Sequence, residues 1–291
     1  MEKYILKKWV DKSKLSWQFL SGNPRAIDLL FEKKEDIDWI WLSKNPSAIE
    51  IIKNNLSNIS LLNISKNKNI MDIIDNIGYL SFRDLSSNPG AISILKENKD
   101  KLCWKGLSLN ENAIDIIEKN LDKVDWIWLS MNKNAIHILE KYPEKINWVY
   151  LSSNPSAISL LKKNRDKIDW TMLSNNPNAE ELLMEEPNKI DWLFYSSLSS
   201  NIPFLRKNID KINWKALCYN VNAIEIIEEN KDKIDWNIIS GNPSLFEYDY
   251  SFYKKRMEPL VEPLMKYCFH PKRVFYYLET YNYDIGNEEY I

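Results

Sequence analysis

The sequence is short of glycine, cysteine and histidine, and each shortage closes a class of function. Only 6 of its 291 residues are glycine, where roughly 7% is usual. The glycine-rich loops that cradle phosphates and the tight turns of β-hairpins are therefore missing. Three dispersed cysteines and two histidines provide neither a disulfide framework nor the four ligands of a zinc site. A surplus of one charge is missing too. The 39 basic residues against 41 acidic ones leave a net −2, which argues against nucleic acid as the main partner. No apolar run approaches the roughly 20 residues of a membrane span, and Met1–Val10 has no signal-peptide core. The expectation is a chain that is neither secreted nor membrane-bound, in a reducing setting. With 44% apolar and 27% charged residues, it has the composition of a folded globular protein.

What is abundant is tryptophan, and most of it falls on a ruler. Trp104, Trp126, Trp148, Trp170, Trp192, Trp214 and Trp236 are each 22 residues apart. Counting back gives Phe82, then Leu61 after a one-residue deletion, then Trp39 and Trp17: eleven registers, nine of them tryptophan. With the tryptophan as position 0, +3 is always apolar, +4 is serine in ten registers and Cys218 in the other, and +6 is asparagine in ten. Position +7 is proline in six registers and +9 is alanine in eight. An apolar doublet, such as Leu29-Leu30 or Ile226-Ile227, stands at +12 and +13.

Repetition at this period implies a solenoid. Asn-Pro is a helix start, because asparagine caps free amides and proline needs no donor in the first turn. Apolar residues at +9, +10, +12 and +13 trace one helical face. Asparagine near +16 (Asn55, Asn98, Asn120, Asn164, Asn208, Asn230) reads as a left-handed helix end achieved without glycine. Asp, Asn or Ser at −1, as in Asp38, Asp125 and Asn213, reads as a second N-cap. Each repeat is then a very short helix A (0 to about +5), partly 3₁₀, followed by helix B (+7 to about +15). A leucine-rich-repeat strand at helix A fits the period but would expose +3, which never turns polar. The expected fold is an all-α, α/α (α/3₁₀) solenoid of either hand. Residues 1–16 read as a capping half-repeat, 17–245 as the repeats, and 246–291 as a degenerate repeat and cap, with a twelfth unit at 257–285. Tryptophans at position 0 are expected in the core between stacked neighbours. At helix spacings of about 8–10 Å the array should be a curved body roughly 100 Å long.

The register Trp-x-x-Leu-Ser-x-Asn-Pro-x-Ala-Ile-x-Leu-Leu, joined by Asp-Lys-Ile-Asp as in Asp166–Asp169, resembles the short-repeat proteins of giant DNA viruses, the mimivirus-like group. His270-Pro271-Lys272-Arg273 followed by an aromatic helix resembles their closing segment. The resemblance covers about 15–285 and implies a viral protein in the host cytoplasm or the virion. It implies no activity and no catalytic residues.

Chemistry is scarce. His137 stands at +11 on helix B and reads as a solvated surface residue. His270 and Cys268 fall on the cap and serine columns without a third orienting group. Cys103 and Cys218 replace a cap residue and a small serine. No enzyme, cofactor, metal or small-molecule substrate is expected. The repeat at Trp192 is the most irregular, with Tyr195, Leu198, Asn201 and Pro203 off consensus. It reads either as drift with a local kink or as a bend that shapes a surface, and Pro203 is tolerable only if helix B restarts at Asn201.

Two surface columns are candidates for protein binding. Position +11 is acidic in seven registers, including Asp28, Glu50, Asp72 and Asp115, and reads as a solvated outer face or a dock for a basic partner. Position +2 carries Phe19, Trp41, Trp128, Tyr150 and Phe194 but also tolerates Asp84 and Gly106. Inter-repeat packing and recognition explain it equally. These features point to a non-enzymatic scaffold that binds another protein, or alternatively to a structural component assembling with itself or with capsid proteins.

Overall fold

In the structure, a computed structural model that describes residues 2–77 and 80–281, the caps with Asp or Asn at −1 form as the spacing predicts, while Ser16 and Ser60 make no capping bond. Asp38 Oδ1 accepts from the Trp41 amide at 3.0 Å, and Asp169 Oδ1 from that of Met172 at 2.8 Å. Helix A is a turn or little more, as in Trp39–Lys44 and Trp126–Met131. The asparagine at +6 opens a 3₁₀ turn, as in Pro46–Ala48, which runs directly into helix B, as in Ile49–Lys53. A further 3₁₀ turn at +17 to +19, as in Arg165–Lys167, was not predicted. Its signal was available in Pro143 and Pro187, which start two of these turns. Helix B does restart at Asn201, whose Oδ1 accepts from the Phe204 amide at 3.1 Å and leaves Pro203 in the first turn.

One expectation is corrected at the end of helix B. The asparagines at +16 are not left-handed: Asn164 has φ −132° and Asn230 has φ −128°. Instead each side-chain amide turns back on its own helix, Asn55 Nδ2 donating to Ile51 O at 2.8 Å and Asn164 Nδ2 to Leu160 O at 2.9 Å. The amide satisfies a terminal carbonyl that a glycine cap would leave to the backbone.

The core is built from columns rather than from tryptophan. Leu42, Leu107, Leu129 and Leu151 at +3, alanine at +9, and Ile52, Leu139 and Leu161 at +13 are inaccessible to solvent. Buried with them are two polar columns, serine at +4 and asparagine at +6. The serine hydroxyl donates to the carbonyl at 0 and accepts the −1 amide of the next repeat, as Ser152 does with Trp148 O at 2.8 Å and the Asp169 amide at 3.0 Å. The asparagine makes three bonds. Asn132 Nδ2 donates to Ser108 O and Asn110 O of the preceding repeat (2.9 and 3.1 Å), while its Oδ1 accepts the Asn134 amide at 3.0 Å. The cap residue is therefore also the stitch between repeats, and its burial carries no unmet polar group.

Position 0 is corrected as well. Every tryptophan of the ruler is half-buried rather than enclosed. In five of the nine the ring is covered by the lysine at +19: Lys167 stands 4.6 Å from the Trp148 ring centre, Lys189 4.4 Å from Trp170, and Lys233 4.7 Å from Trp214, with Lys123 and Lys211 over Trp104 and Trp192. A cation over an indole face completes what a second apolar wall would otherwise supply.

The array does not end as an extended rod; residues 6–246 close on themselves. The amide of Ser16 donates to Ser240 Oγ at 2.9 Å and Asn23 Nδ2 donates to Ser240 O at 3.0 Å, repeating between last and first repeats the bonds that join most neighbouring pairs. Lys14 lies 5.4 Å from the Trp236 ring centre, in the role of the +19 lysine. The 3₁₀ turn Lys12–Lys14 takes the place of the second turn of the eleventh repeat. That repeat is thus assembled from both ends of the chain, with Lys7 N bonded to Leu245 O at 2.9 Å. The residues read as an N-terminal cap supply the missing part of a repeat, and the 100 Å body is replaced by a circuit. The closest packing between repeats runs through helix A, and Trp236–Ser240 returns against Trp17–Ser21. Helix A therefore follows the shorter circumference.

A second compact unit comprises residues 1–5 with 247–291, described as far as 281. Within it Tyr4 stacks on Tyr248 at 4.9 Å, and Asp249 caps a long helix, Tyr250–Cys268. A second helix, Pro271–Tyr281, starts after His270, whose carbonyl accepts from Val274 N at 3.1 Å. No described residue from 250 to 281 is buried. The stretch read as a twelfth unit thus has the predicted His-Pro helix start but neither the short helix A nor a buried serine column, Cys268 being exposed. Residues 282–285 of that reading lie outside the described residues.

Candidate interaction surface

The two candidate columns fare differently. The +11 carboxylates stand in the first turn of helix B, where Asp28, Glu50 and Asp115 face the positive end of the backbone dipole. Several are met by the base at +14 of the preceding repeat or by one on their own helix. Lys162 reaches Glu181 at 2.6 Å, Arg206 reaches Glu225 at 3.7 Å, Lys96 reaches Asp115 at 3.9 Å, and Lys53 reaches Glu50 at 2.9 Å. Asp72 ends the 3₁₀ turn Ile70–Asp72. The acidic column is interleaved with bases and offers no continuous negative stripe. These pairs are solvent-exposed and contribute little to stability.

The +2 aromatics are half-buried and pack from one repeat to the next. Phe19 and Trp41 have ring centres 5.0 Å apart, Trp128 and Tyr150 5.7 Å. Lys44 lies 4.1 Å from the Trp41 ring and Lys105 4.9 Å from that of Trp128. Glycine at +5 makes room for Trp41, since a Cβ on Gly22 would stand 3.0 Å from its Cε3, whereas one on Gly241 would stand at ordinary contact distance, 3.7 Å, from Phe19 Cδ1. Ser-Gly-Asn-Pro at 21–24 and 240–243 therefore marks where an aromatic of the next repeat settles, and Phe19 on Gly241 is part of the closure.

Beside this column, +1 projects freely. Ile40 is 56% exposed, Ile127 45%, Val149 46% and Leu193 51%. Over four consecutive repeats, Ile127-Trp128, Val149-Tyr150, Thr171-Met172 and Leu193-Phe194 form a strip of exposed +1 and half-exposed +2 side chains on helix A, apolar except at Thr171. The exposure of column +1 is not legible in the sequence, because a one-turn helix has too few residues to show a face.

The remaining reactive groups are isolated. His137 Nε2 lies 2.9 Å from Glu118 Oε1 on the surface. Cys218 is buried in the serine column with its sulfur 3.2 Å from Trp214 O, and burial pushes its thiol ionisation up. Among the described residues no group of three or more His, Cys, Asp or Glu side chains is placed to hold a metal ion, and no helix is long and apolar enough to cross a membrane. No protein-family model, curated protein or solved structure matches the chain.

Proposed function

We propose that the protein is a non-enzymatic repeat scaffold that holds another protein against the helix A strip, acting in an infected host cell. The observation that carries this reading is the run of +1 side chains. Ile127, Val149 and Leu193 are about half exposed although each sits on the best-packed element of its repeat. Contiguous exposed apolar surface rimmed by polar groups is what recognition sites use. The resemblance of the repeat to giant-virus proteins supports the cellular setting. A photo-crosslinker placed at 127, 149 or 193 should capture one partner from infected cells, and Val149→Asp with Leu193→Asp should abolish capture. The same crosslinker at 115 or 181 should not capture it. Equal capture from both faces, or none from helix A, overturns the reading.

A second reading, assembly with copies of itself or with capsid proteins in the virion, is favoured by the helix Tyr250–Cys268. Met257, Leu260, Val261, Leu264 and Met265 form a stripe there that is 47–56% exposed. Mass spectrometry of purified particles, with the solution mass of the full chain, separates the two readings.

A further inference from the structure

Between successive repeats lies a groove floored by the position 0 ring and walled by the end of helix B on one side and that of the preceding repeat on the other. At Trp104 it encloses about 640 Å³, within the range of ligand pockets. Four lysines line it, Lys96, Lys99, Lys119 and Lys123, against a single carboxylate, Asp115. Asp115 is 3.9 Å from Lys96 and is the weaker partner in number and distance. Trp104 is half-buried and forms the floor together with Leu102 and Ile116.

The other repeats serve as internal controls. The same groove at Trp39 encloses about 390 Å³ with Lys34 and Glu50 as its charged lining. At Trp170 the corresponding bases are spent on neighbours: Lys162 on Glu181, Arg165 on Glu185 and Lys189 on Glu186. At Trp214 the corresponding arginine, Arg206, is held by Glu225 and Glu229. Only at Trp104, among these four, do cations outnumber anions over an exposed indole edge. Lys99 and Lys119 are both exposed, on columns that are basic in other registers too (Lys12, Lys34, Arg165 and Lys231 with Lys99; Lys141, Lys163 and Lys207 with Lys119), so the Trp104 groove is set apart by having both together with Lys96 and Lys123 against a single carboxylate.

We infer that the Trp104 groove binds a small polyanion carrying a flat ring, of the nucleoside diphosphate class. The phosphates would be met by Lys99 and Lys119, and the ring by Trp104 once the Lys123 ammonium, 5.6 Å from the indole centre, swings aside. Phosphate binding here would use side-chain ammonium groups instead of the glycine-rich backbone loops that the sequence lacks. An aromatic floor adds stacking, which a bare phosphate cannot exploit. Apart from Trp104 the lining lies outside helix A, and the site does not depend on the scaffold reading.

The test is calorimetric titration of the full chain with ADP, with pyrophosphate and with a hexaglutamate peptide. Saturable ADP binding, about tenfold tighter than pyrophosphate, is expected from stacking. Lys99→Glu with Lys119→Glu should weaken ADP at least about tenfold, from loss of two charge-assisted contacts, with the circular dichroism unchanged. Lys34→Glu at the Trp39 groove should leave the affinity unaltered. No saturation by about 1 mM ADP, an affinity weaker than is useful for a specific site, overturns the proposal. So do a loss in Lys34→Glu equal to that in the double variant, and hexaglutamate binding as tight as ADP.

Discussion

Tyr195 donates a 2.8 Å hydrogen bond to Glu180, and both residues depart from the repeat pattern. Tyr195 stands where +3 is otherwise aliphatic, and Glu180 stands at +10 of the preceding repeat, usually isoleucine. Asn201, in place of alanine, donates to the same Glu180 oxygen at 2.6 Å. Three irregularities that look independent in the sequence are one buried polar cluster. Leu198, in place of the +6 asparagine, is accommodated separately. Helix A extends to Leu198, and Ser199 takes over the acceptor duties: its Oγ accepts the Asn201 amide at 3.0 Å and its carbonyl accepts from Asn220 Nδ2 at 2.8 Å, while the two donations of a +6 asparagine to the preceding repeat have no counterpart at Leu198. The Trp192 repeat is thus compensated rather than kinked by drift.

The cluster should therefore behave as a unit. Tyr195→Leu alone leaves Glu180 with one donor, and Glu180→Ile alone orphans a buried hydroxyl; each should cost about 2 kcal/mol. Together with Asn201→Ala they restore the consensus, and the triple variant should lose less than the sum by at least about 1 kcal/mol in urea unfolding. Additive losses would show that the three residues are not coupled.

The same pair predicts a pH dependence. Burial, with the bond to Glu180 assisting, pushes the Tyr195 hydroxyl above its ordinary ionisation range. The folded state favours the neutral phenol, so this contribution is fully present below pH of about 10, the unfolded value, and is lost as pH rises towards the folded one. Urea midpoints of the wild type should fall above that pH more steeply than those of Tyr195→Phe. Parallel curves would contradict the assignment.

Asn132 tests the stitch between repeats. Asn132→Ala removes three buried bonds and strands two carbonyls and an amide, and should cost about 3 kcal/mol or more. Asn132→Leu should fare no better, although Leu198 is tolerated at the same column, because Asn132 is followed by Lys133 and no hydroxyl stands beside it to accept the Asn134 amide as Ser199 Oγ accepts that of Asn201. A loss under about 1 kcal/mol in either variant would mean that water satisfies these groups.

The repeat was legible because each column has a chemical reason that recurs: caps at −1 and +6, small or apolar residues at +3, +4 and +9. Side-chain roles within the columns were less so. Asn-Pro announces a helix start, but nothing in one repeat says that the same amide reaches back to Ser and Asn carbonyls 24 and 22 residues away. The lysine of Asp-Lys-Ile-Asp looked like linker until the indole beneath it was placed. Closure was hidden for a related reason. Lys14 and Ser16 match the +19 and −1 columns, but only the angle between repeats, absent from any single repeat, decides whether the eleventh meets the first.

Closure makes a topological prediction. With Lys7 N and Leu245 O already 2.9 Å apart, a short linker can join the ends of 6–246, and new termini can be opened at the exposed turn after Asn120. Such a permutant should fold with the melting temperature of the unpermuted segment to within a few degrees, since every inter-repeat bond survives. Deleting one whole repeat, residues 126–147, should instead cost more than one repeat's share, because ten repeats must change their mutual angle to regain the Ser16–Ser240 bond. In an open solenoid the order reverses: permutation breaks the array in two, and deletion merely shortens it.

The lysine–indole column can be weighed at Trp148. A fully buried tryptophan cut to alanine costs about 3–5 kcal/mol. Trp148 is half-buried, so Trp148→Ala should fall at the lower end, about 2–3 kcal/mol by urea unfolding. Lys167, 4.6 Å above the ring, should contribute about 0.5–1 kcal/mol through its cation. Lys167→Met keeps the apolar stem but removes the charge, and so should recover only the packing part. The discriminating measurement is the pair of Lys167→Met in wild type and in Trp148→Leu. A penalty that persists without the indole would assign the lysine to general surface electrostatics, whereas one that vanishes assigns it to the ring.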